Sequence, residues 1–427
     1  MRRLKIISAQ QFRDEYERVN TNTNDEELNR TVLDVIEQVK EKGDVALREL
    51  TEKFDRVKLD QFLVTEEEIN QAKESVSPQF IEAIQTAKKN IQAFHENQVE
   101  KSWFIEGKQG EILGQKVTPL DSVGVYVPGG TAAYPSTVLM NVVPATIAGV
   151  KNIVMTTPPQ EDGRVNPYIL VAAAEAGIDQ IYKVGGAQAI AALAYGTKTI
   201  PKVAKIVGPG NAYVACAKKW VFGDVDIDMI AGPSEICVVA DETAKPSYVA
   251  LDLLSQAEHD ELATAICITT SETFAERLQQ EINTQVGKLE RKAIIEVSLA
   301  NNGRIIVVDS LKEAFDIVND LAPEHLQIMI ENPMEAVSSV KHAGAIFLGN
   351  YSPEALGDYV AGPNHTLPTN GTAVFSSPLG VYDFIKRSSI IYYPEAALQT
   401  VANDITTIAY AEGLTAHAKS IEKRMEE

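Results

Sequence analysis

Cysteine is scarce in this sequence: three residues, Cys216, Cys237 and Cys267, in a chain of 427. The count is odd, the spacing is wide and each lies in an apolar or helical context. That argues against a disulfide framework and for reduced core thiols in the cytoplasm. Positive charge is also in short supply, with 39 Lys plus Arg against 59 Asp plus Glu and a net charge of −20. Such a surface repels phosphate backbones and anionic membrane faces, so neither nucleic acid nor a membrane is an expected partner. No uninterrupted apolar run reaches the roughly 18 residues that suggest a bilayer span. Gln10, Gln11, Arg13 and Asp14 stand where a secretory signal needs its apolar stretch, so no export signal is expected. Short repeats, low-complexity tracts and Ser/Pro-rich linkers are absent as well.

What is present is an ordinary globular composition, 45% hydrophobic and 23% charged. A length beyond the usual single-core limit of about 250–300 residues predicts two or more domains. From 25 to 98 the pattern is helical, with Gly43 separating two amphipathic segments. Thr65 to Glu68 reads as a capping box, and Ser77-Pro78 supplies an N-cap with proline at the first helical position. Phe80, Ile84, Ala87, Ile91 and Phe94 share one stripe of the helix that follows, which makes the nearby His95 a structural residue. Between 122 and 236 the apolar runs Val123–Val127, Ile153–Met155, Ile181–Val184 and Ala204–Val207 alternate with helical stretches beginning near Ser136, Asn166, Ala187 and Asn211. A second series, Ile236–Val239, Ala265–Ile268, Arg304–Val308 and Ala345–Leu348, occupies 237 to 349. Strand and helix alternating in this way predict βαβ units, hence an α/β protein with two doubly wound units, an N-terminal helical part and a C-terminal tail.

Chemistry is concentrated in a few places. Gln256 and His259 are three residues apart at the end of a helical stretch starting near Pro246. That spacing puts an amide oxygen and an imidazole nitrogen on one face, half of a metal site, although it also suits a plain polar helix face. Four of the six histidines, His259, His325, His365 and His417, stand in suggestive company. Glu324-His325 joins the two side chains most used to move protons near neutral pH, or else ends a helix with a capping histidine. Neighbours in a regular strand face opposite ways, so the pair can share one site only if the chain turns, which Pro323 makes plausible. Asp358 and Gly362-Pro363-Asn364-His365 lie in a Gly/Pro-punctuated loop beyond the last strand. Gly129-Gly130, Gly185-Gly186-Ala187-Gln188 and Gly208-Pro209-Gly210-Asn211 each follow a strand and open a helix, where backbone N–H groups can receive a phosphate. None completes G-x-G-x-x-G, so a dinucleotide and a simple tight turn both remain open.

Asp228-Met229-Ile230-Ala231-Gly232-Pro233-Ser234-Glu235, Asp252 to His259, Ala322-Pro323-Glu324-His325-Leu326 and Gly362 to Thr369 together resemble the histidinol dehydrogenase family over effectively the whole chain. The resemblance implies two incomplete Rossmann-like, aldehyde-dehydrogenase-like domains. It places an N-terminal arm over 1–25, a first α/β domain over 26–121 and 237–376, an NAD-binding domain over 122–236, and a tail over 377–427 exchanged within a homodimer. By resemblance Gln256, His259, Asp358 and His417 ligate one zinc ion, and Glu324 and His325 are the acid/base pair. Ser234, His365 and Glu412 join the zinc ligands and His325 in holding L-histidinol, while Tyr126, Gln188 and Asn211 contact NAD. His417 and Glu412 are implied to reach the neighbouring subunit's site.

A zinc ion held by two imidazoles, an amide oxygen and a carboxylate would keep a net positive charge. It would act in substrate capture, because zinc has no redox chemistry and electrons must pass to NAD. His325 is expected to serve both oxidation steps and Glu324 to activate the water that hydrates an aldehyde. Three rivals are weighed against this: a covalent thiohemiacetal on one of the cysteines, a zinc hydrolase with Glu324 as base, and a two-lobed protein that binds a metabolite without converting it.

Overall fold

The computed structural model describes residues 4–16, 26–129 and 134–426, and they divide into two compact units. The first unit, Met1–Gln98 with Leu120–Phe384, contains two parallel sheets. One has six strands in the order Lys5–Ser8, Arg304–Val307, Thr264–Thr269, Glu235–Ala240, His325–Met329 and Ala345–Leu348. The other has five, in the order Ile181–Lys183, Asn152–Thr157, Ser122–Tyr126, Lys205–Val207 and Asp226–Ile227. Each sheet is built outward from a central strand in one direction and then in the other. The reversal falls between Glu235–Ala240 and His325–Met329 in the first sheet, and between Ser122–Tyr126 and Lys205–Val207 in the second.

Burial on both faces explains the near-continuous apolar strands. In Glu235–Ala240, Ile236, Val238 and Ala240 join one core cluster, while Cys237 and Val239 join the cluster on the opposite face. That is the two-residue alternation of a strand covered by helices on either side.

Local signals place the N-terminal helices well. Thr65 caps the helix Glu66–Ser75 through a full capping box, and Ser77 accepts from Phe80 N at 3.2 Å to start Pro78–His95. Ile84, Ala87 and Ile91 are buried, whereas Phe94 at the end of the expected stripe is 41% exposed. His95 is buried, with Nδ1 2.8 Å from Gln98 Oε1, a structural role.

The packing partner of these helices departs from the division expected from sequence. Leu28, Val32, Val39, Leu47 and Leu50 pack with Ile190 and Leu193, and Ile84 and Ile91 pack with Val138 and Leu139, so residues 26–98 pack mainly on the layer around the five-stranded sheet, and Asn90 also donates to Val360 O at 2.7 Å. An amphipathic stripe dictates that a helix is buried on one side, not which sheet receives it. Lys5–Ser8, expected in an arm, is an edge strand paired in register with Arg304–Val307.

The second unit comprises Val99–Pro119 and Ile385–Glu427. It holds an antiparallel sheet, Ile385–Tyr392, Ile112–Pro119 and Trp103–Glu106, with helices Glu395–Ala411 and Thr415–Glu426. Phe104, Ile105, Ile391 and Tyr392 are exposed. No described helix of either unit is long and apolar enough to cross a membrane.

Candidate active site

The helix Leu311–Leu321 ends at Ala322, whose left-handed backbone (φ 44°) turns the chain through Pro323 into the strand His325–Met329. That turn allows Glu324 and His325, both under a tenth exposed, to converge on the backbone of one residue of the neighbouring strand. Glu324 Oε2 accepts from Glu235 N at 2.9 Å, and His325 Nδ1 lies 3.0 Å from Glu235 O. A carbonyl can only accept, so Nδ1 carries the proton and Nε2 is left with its lone pair. Burial lowers the His325 pKa, with the Glu354 charge in partial opposition, so the ring is a neutral base near pH 7. Burial holds the Glu324 carboxyl well above the usual range, and nearby Glu235, Asp358 and Glu354 push it further.

His325 Nε2 faces Glu354 Oε1 at 4.0 Å. Glu354 opens the short helix Glu354–Tyr359, and Asp358, four residues on, shares its face. The structure thus corrects the expectation of a loop at Asp358, because Pro353 starts a helical turn there. His325, Glu354 and Asp358 each offer one donor atom, all within 4.8 Å of one another. Glu354 was not singled out in sequence, although an acid pair spaced by four after a proline is the signal that could have found it. Ser255 Oγ donates to its carboxyl Oε2 at 3.2 Å, while its backbone N–H donates to the Gln327 carboxamide oxygen at 2.8 Å, and that carboxamide donates to Asp252 Oδ2 at 2.9 Å. Burial raises Glu354 to about 7 and Asp252 to about 6, and also raises Asp358. Oε1 of Glu354 is buried without a hydrogen-bond partner among the described residues.

Gln256 is fully buried in the last turn of Pro246–Ala257, and neither its oxygen nor its nitrogen has a partner among the described residues. An unmet buried polar group costs about 1–3 kcal/mol, so this amide is built to receive something. His259 lies beyond the helix end, in a turn closed by His259 N to Gln256 O at 3.1 Å, and its Nδ1 is 3.4 Å from Ser234 Oγ. His365 Nδ1 donates to Asp358 O at 3.0 Å, its Nε2 is 3.4 Å from Thr137 Oγ1, and burial pushes the ring down to about 4. The charge of His259 is felt at His325, His365 and Glu354, so these groups form one electrostatic cluster. The first unit therefore gathers Ser234, His259, Glu324, His325, Glu354, Asp358 and His365. Glu412 and His417 belong to the second unit, where Glu412 ends Glu395–Ala411, His417 lies on Thr415–Glu426, and both are exposed.

These acid/base groups stand at the amino ends of the strands beside the reversal of the six-stranded sheet. The five-stranded sheet follows the usual rule instead, with Tyr126 and Asn211 beyond the carboxyl ends of the strands flanking the reversal and Gln188 beyond that of the edge strand Ile181–Lys183. Tyr126 ends Ser122–Tyr126, and its buried phenolic oxygen accepts from Gly186 N at 3.1 Å. Gln188, 1% exposed in the first turn of Gly186–Tyr195, has an Nε2 with no partner among the described residues. Asn211 caps Ala212–Val221, accepting from Tyr213 N at 3.1 Å and Val214 N at 3.2 Å, which leaves its NH₂ to point elsewhere. Gly208 (φ 110°) joins this strand to the cap, and a Cβ there would meet Tyr126 O at 2.1 Å. A buried Lys218–Asp228 pair grips its peptide, Lys218 Nζ donating to Gly208 O at 3.0 Å and Asp228 Oδ2 accepting from Gly208 N at 2.8 Å. Gly129 is described, while Gly130 lies outside the described residues.

All three cysteines are free and buried, and burial raises each thiol. Buried thiols of raised pKa are poor nucleophiles, which removes support from the thiohemiacetal alternative.

The family model described as histidinol dehydrogenase matches residues 18–425. A histidinol dehydrogenase of Oceanobacillus iheyensis is 54% identical over 423 residues, 99% of each chain, and that of Bacillus subtilis is 58% identical over 399 residues, 93% of each. The crystal structure of a histidinol dehydrogenase from Elizabethkingia anophelis superposes with a TM-score of 0.93 at 40% identity, covering 100% of this chain and 98% of that one.

Proposed function

We propose, from the premise that this chain belongs to the histidinol dehydrogenase family, that it oxidises L-histidinol to L-histidine with NAD as acceptor and a zinc ion as substrate anchor. The family carries out the final steps of histidine synthesis. The observation that carries the assignment is the Glu324–His325 pair braced on the backbone N–H and C=O of Glu235, beside buried polar atoms that have no partner among the described residues.

The donor set fits zinc. Gln256 offers an amide oxygen with no partner among the described residues, and His259 and Asp358 would add an imidazole and a carboxylate, with His417 of the partner subunit as the fourth ligand in a homodimer; of these only Asp358 belongs to the trio His325, Glu354 and Asp358 whose donor atoms lie within 4.8 Å of one another. Glu412 would reach the substrate from that partner as well. When bound, zinc supplies a Lewis acid that fixes the amine and imidazole of the substrate. The orphaned Gln188 NH₂, the Tyr126 phenol and the Asn211 NH₂ fit a dinucleotide at the carboxyl ends of the second sheet, and NAD supplies the hydride acceptor.

The conversion R–CH₂OH plus water to R–COO⁻ releases two hydrides and three protons. His325 Nε2 removes the hydroxyl proton in the first oxidation, and the Glu235 carbonyl steadies the resulting imidazolium through Nδ1. Glu324 then takes a proton from the water that hydrates the aldehyde, and His325 acts again in the second oxidation. Ser234 and His365 border the same space and orient the substrate. The buried thiols and net negative charge fit the cytoplasm.

Nicotinamide reduction tests the whole reading. Purified protein with zinc should reduce two NAD per histidinol and stop on chelation without unfolding. His259→Asn should lose bound metal by elemental analysis. Histidinol binding with no nicotinamide reduction would leave a metabolite-binding protein instead, and NAD-independent turnover would point to a hydrolase.

A further inference from the structure

Asp55, the last residue of the helix Asp44–Asp55, carries a carboxylate in an unfavourable place. Its Oδ2 is shut off from water and has no hydrogen-bond partner among the described residues. Burial raises its pKa to about 6, and it forms no ion pair among the described residues. An anion at a helix C-terminus also opposes the helix dipole. The residue is therefore not there for stability, and groups that break local rules cluster where function needs them.

Its surroundings say which function. The Asp55 charge acts on the Tyr126 phenol, whose oxygen accepts from Gly186 N at 3.1 Å and whose proton is left to donate. The helix that carries Asp55 packs through Leu47 and Leu50 into the cluster that holds Ala187 and Ile190 of Gly186–Tyr195. The first turn of that helix also holds Gln188 Nε2, which has no partner among the described residues. An unmet acceptor and two available donors thus gather at the carboxyl end of the five-stranded sheet. A vicinal diol, which both donates and accepts, satisfies that combination.

We propose that Asp55 accepts the hydroxyls of the adenosine ribose of the dinucleotide, beside Tyr126 and Gln188, and that its charge excludes a 2′-phosphate, making the site selective for NAD over NADP. A ribose diol gives the carboxylate the hydrogen bonds it lacks, whereas a phosphate in the same position would set two anions together. The inference rests on the cofactor position proposed above.

The test uses the zinc-loaded protein without histidinol and reads the shift in Tm caused by NAD and by NADP, followed by KM for each in turnover. Asp55→Asn should fold with an unchanged or higher Tm, because it removes an uncompensated charge. Its NAD affinity should fall about 10- to 100-fold, as expected for the loss of a charged hydrogen bond. Its NAD-to-NADP preference should shrink by about tenfold or more. Asp55→Ser serves the same purpose if the asparagine variant does not fold. An unchanged preference overturns the proposal, as does a lower Tm with both affinities reduced in proportion, which would mark a structural role. Gln188→Ala and Asn211→Ala run in parallel. If they weaken NAD binding and Asp55→Asn does not, only the Asp55 assignment falls; if none of the three matters, the cofactor position itself is wrong.

Discussion

Replacing Glu324 by glutamine separates the two oxidation steps. The variant keeps an oxygen where Glu324 Oε2 accepts from Glu235 N at 2.9 Å, so the turn into the strand His325–Met329 should persist. Burial disfavours the charged carboxylate and raises its pKa above the ordinary range, and glutamine keeps the shape of the side chain without that charge. Stability should therefore change by less than about 1 kcal/mol. Catalysis should change far more, because proton abstraction by a placed base is worth about 10²–10⁴-fold, or roughly 3–5 kcal/mol of barrier. The loss should fall on oxidation of supplied histidinaldehyde, while the alcohol-to-aldehyde step, which relies on His325, keeps most of its rate. Stopped-flow detection of nicotinamide reduction from each starting compound reads the two separately. Oxidation of the aldehyde at the wild-type rate would refute the assignment of Glu324 as water-activating base, and equal losses in both steps would refute the division of labour.

Other consequences can be measured directly. Glu354 has a folded pKa of about 7 against an ordinary 4.5, so the neutral carboxyl favours the fold. Its contribution is complete below pH 4.5 and fades as pH rises through about 7. Glu354→Gln should flatten the loss of stability over that window in urea unfolding of metal-free protein, and an unchanged slope would contradict the raised pKa. Gly208→Ala should destabilise by more than about 2 kcal/mol and abolish NAD binding, given a positive φ and a Cβ driven onto the Tyr126 carbonyl; a wild-type Tm would contradict it. Iodoacetamide should leave native turnover intact and modify all three thiols only after unfolding, since Cys216, Cys237 and Cys267 are buried. Inactivation without unfolding would restore the thiohemiacetal alternative.

Elements governed by neighbours in sequence were legible. The Thr65 capping box, the Ser77-Pro78 helix start and the apolar runs that became the strands of both sheets follow from periodicity and from side chains that bond to nearby backbone. The strand His325–Met329 was not read as one, because its start was taken up by a possible turn and a possible helix end. Both features are present, at Ala322 and just before the strand. The antiparallel sheet of the second unit also went unread, since its strands are largely exposed or half-buried and Ile385–Tyr392 pairs with a segment far away in sequence. For the site, the motifs pointed to Glu324, His325, His259 and Asp358, while the spacing of Glu354 and Asp358 after Pro353 was the one local signal for Glu354 and its burial was not legible.

The sequence by itself determined the class of fold, the family and the inventory of reactive groups, because periodicity, capping and long ordered motifs are written within a few residues of one another. Only the tertiary structure decided that residues 26–98 pack mainly on the layer around the five-stranded sheet. It alone showed that Glu324 and His325 brace on the backbone of the same residue, Glu235, and that Glu354, Gln256 and Asp55 each keep a buried polar atom with no partner among the described residues. The reason is physical: a side chain's protonation and its unmet hydrogen bonds depend on which distant groups exclude water from it, and that exclusion exists only once the chain has packed.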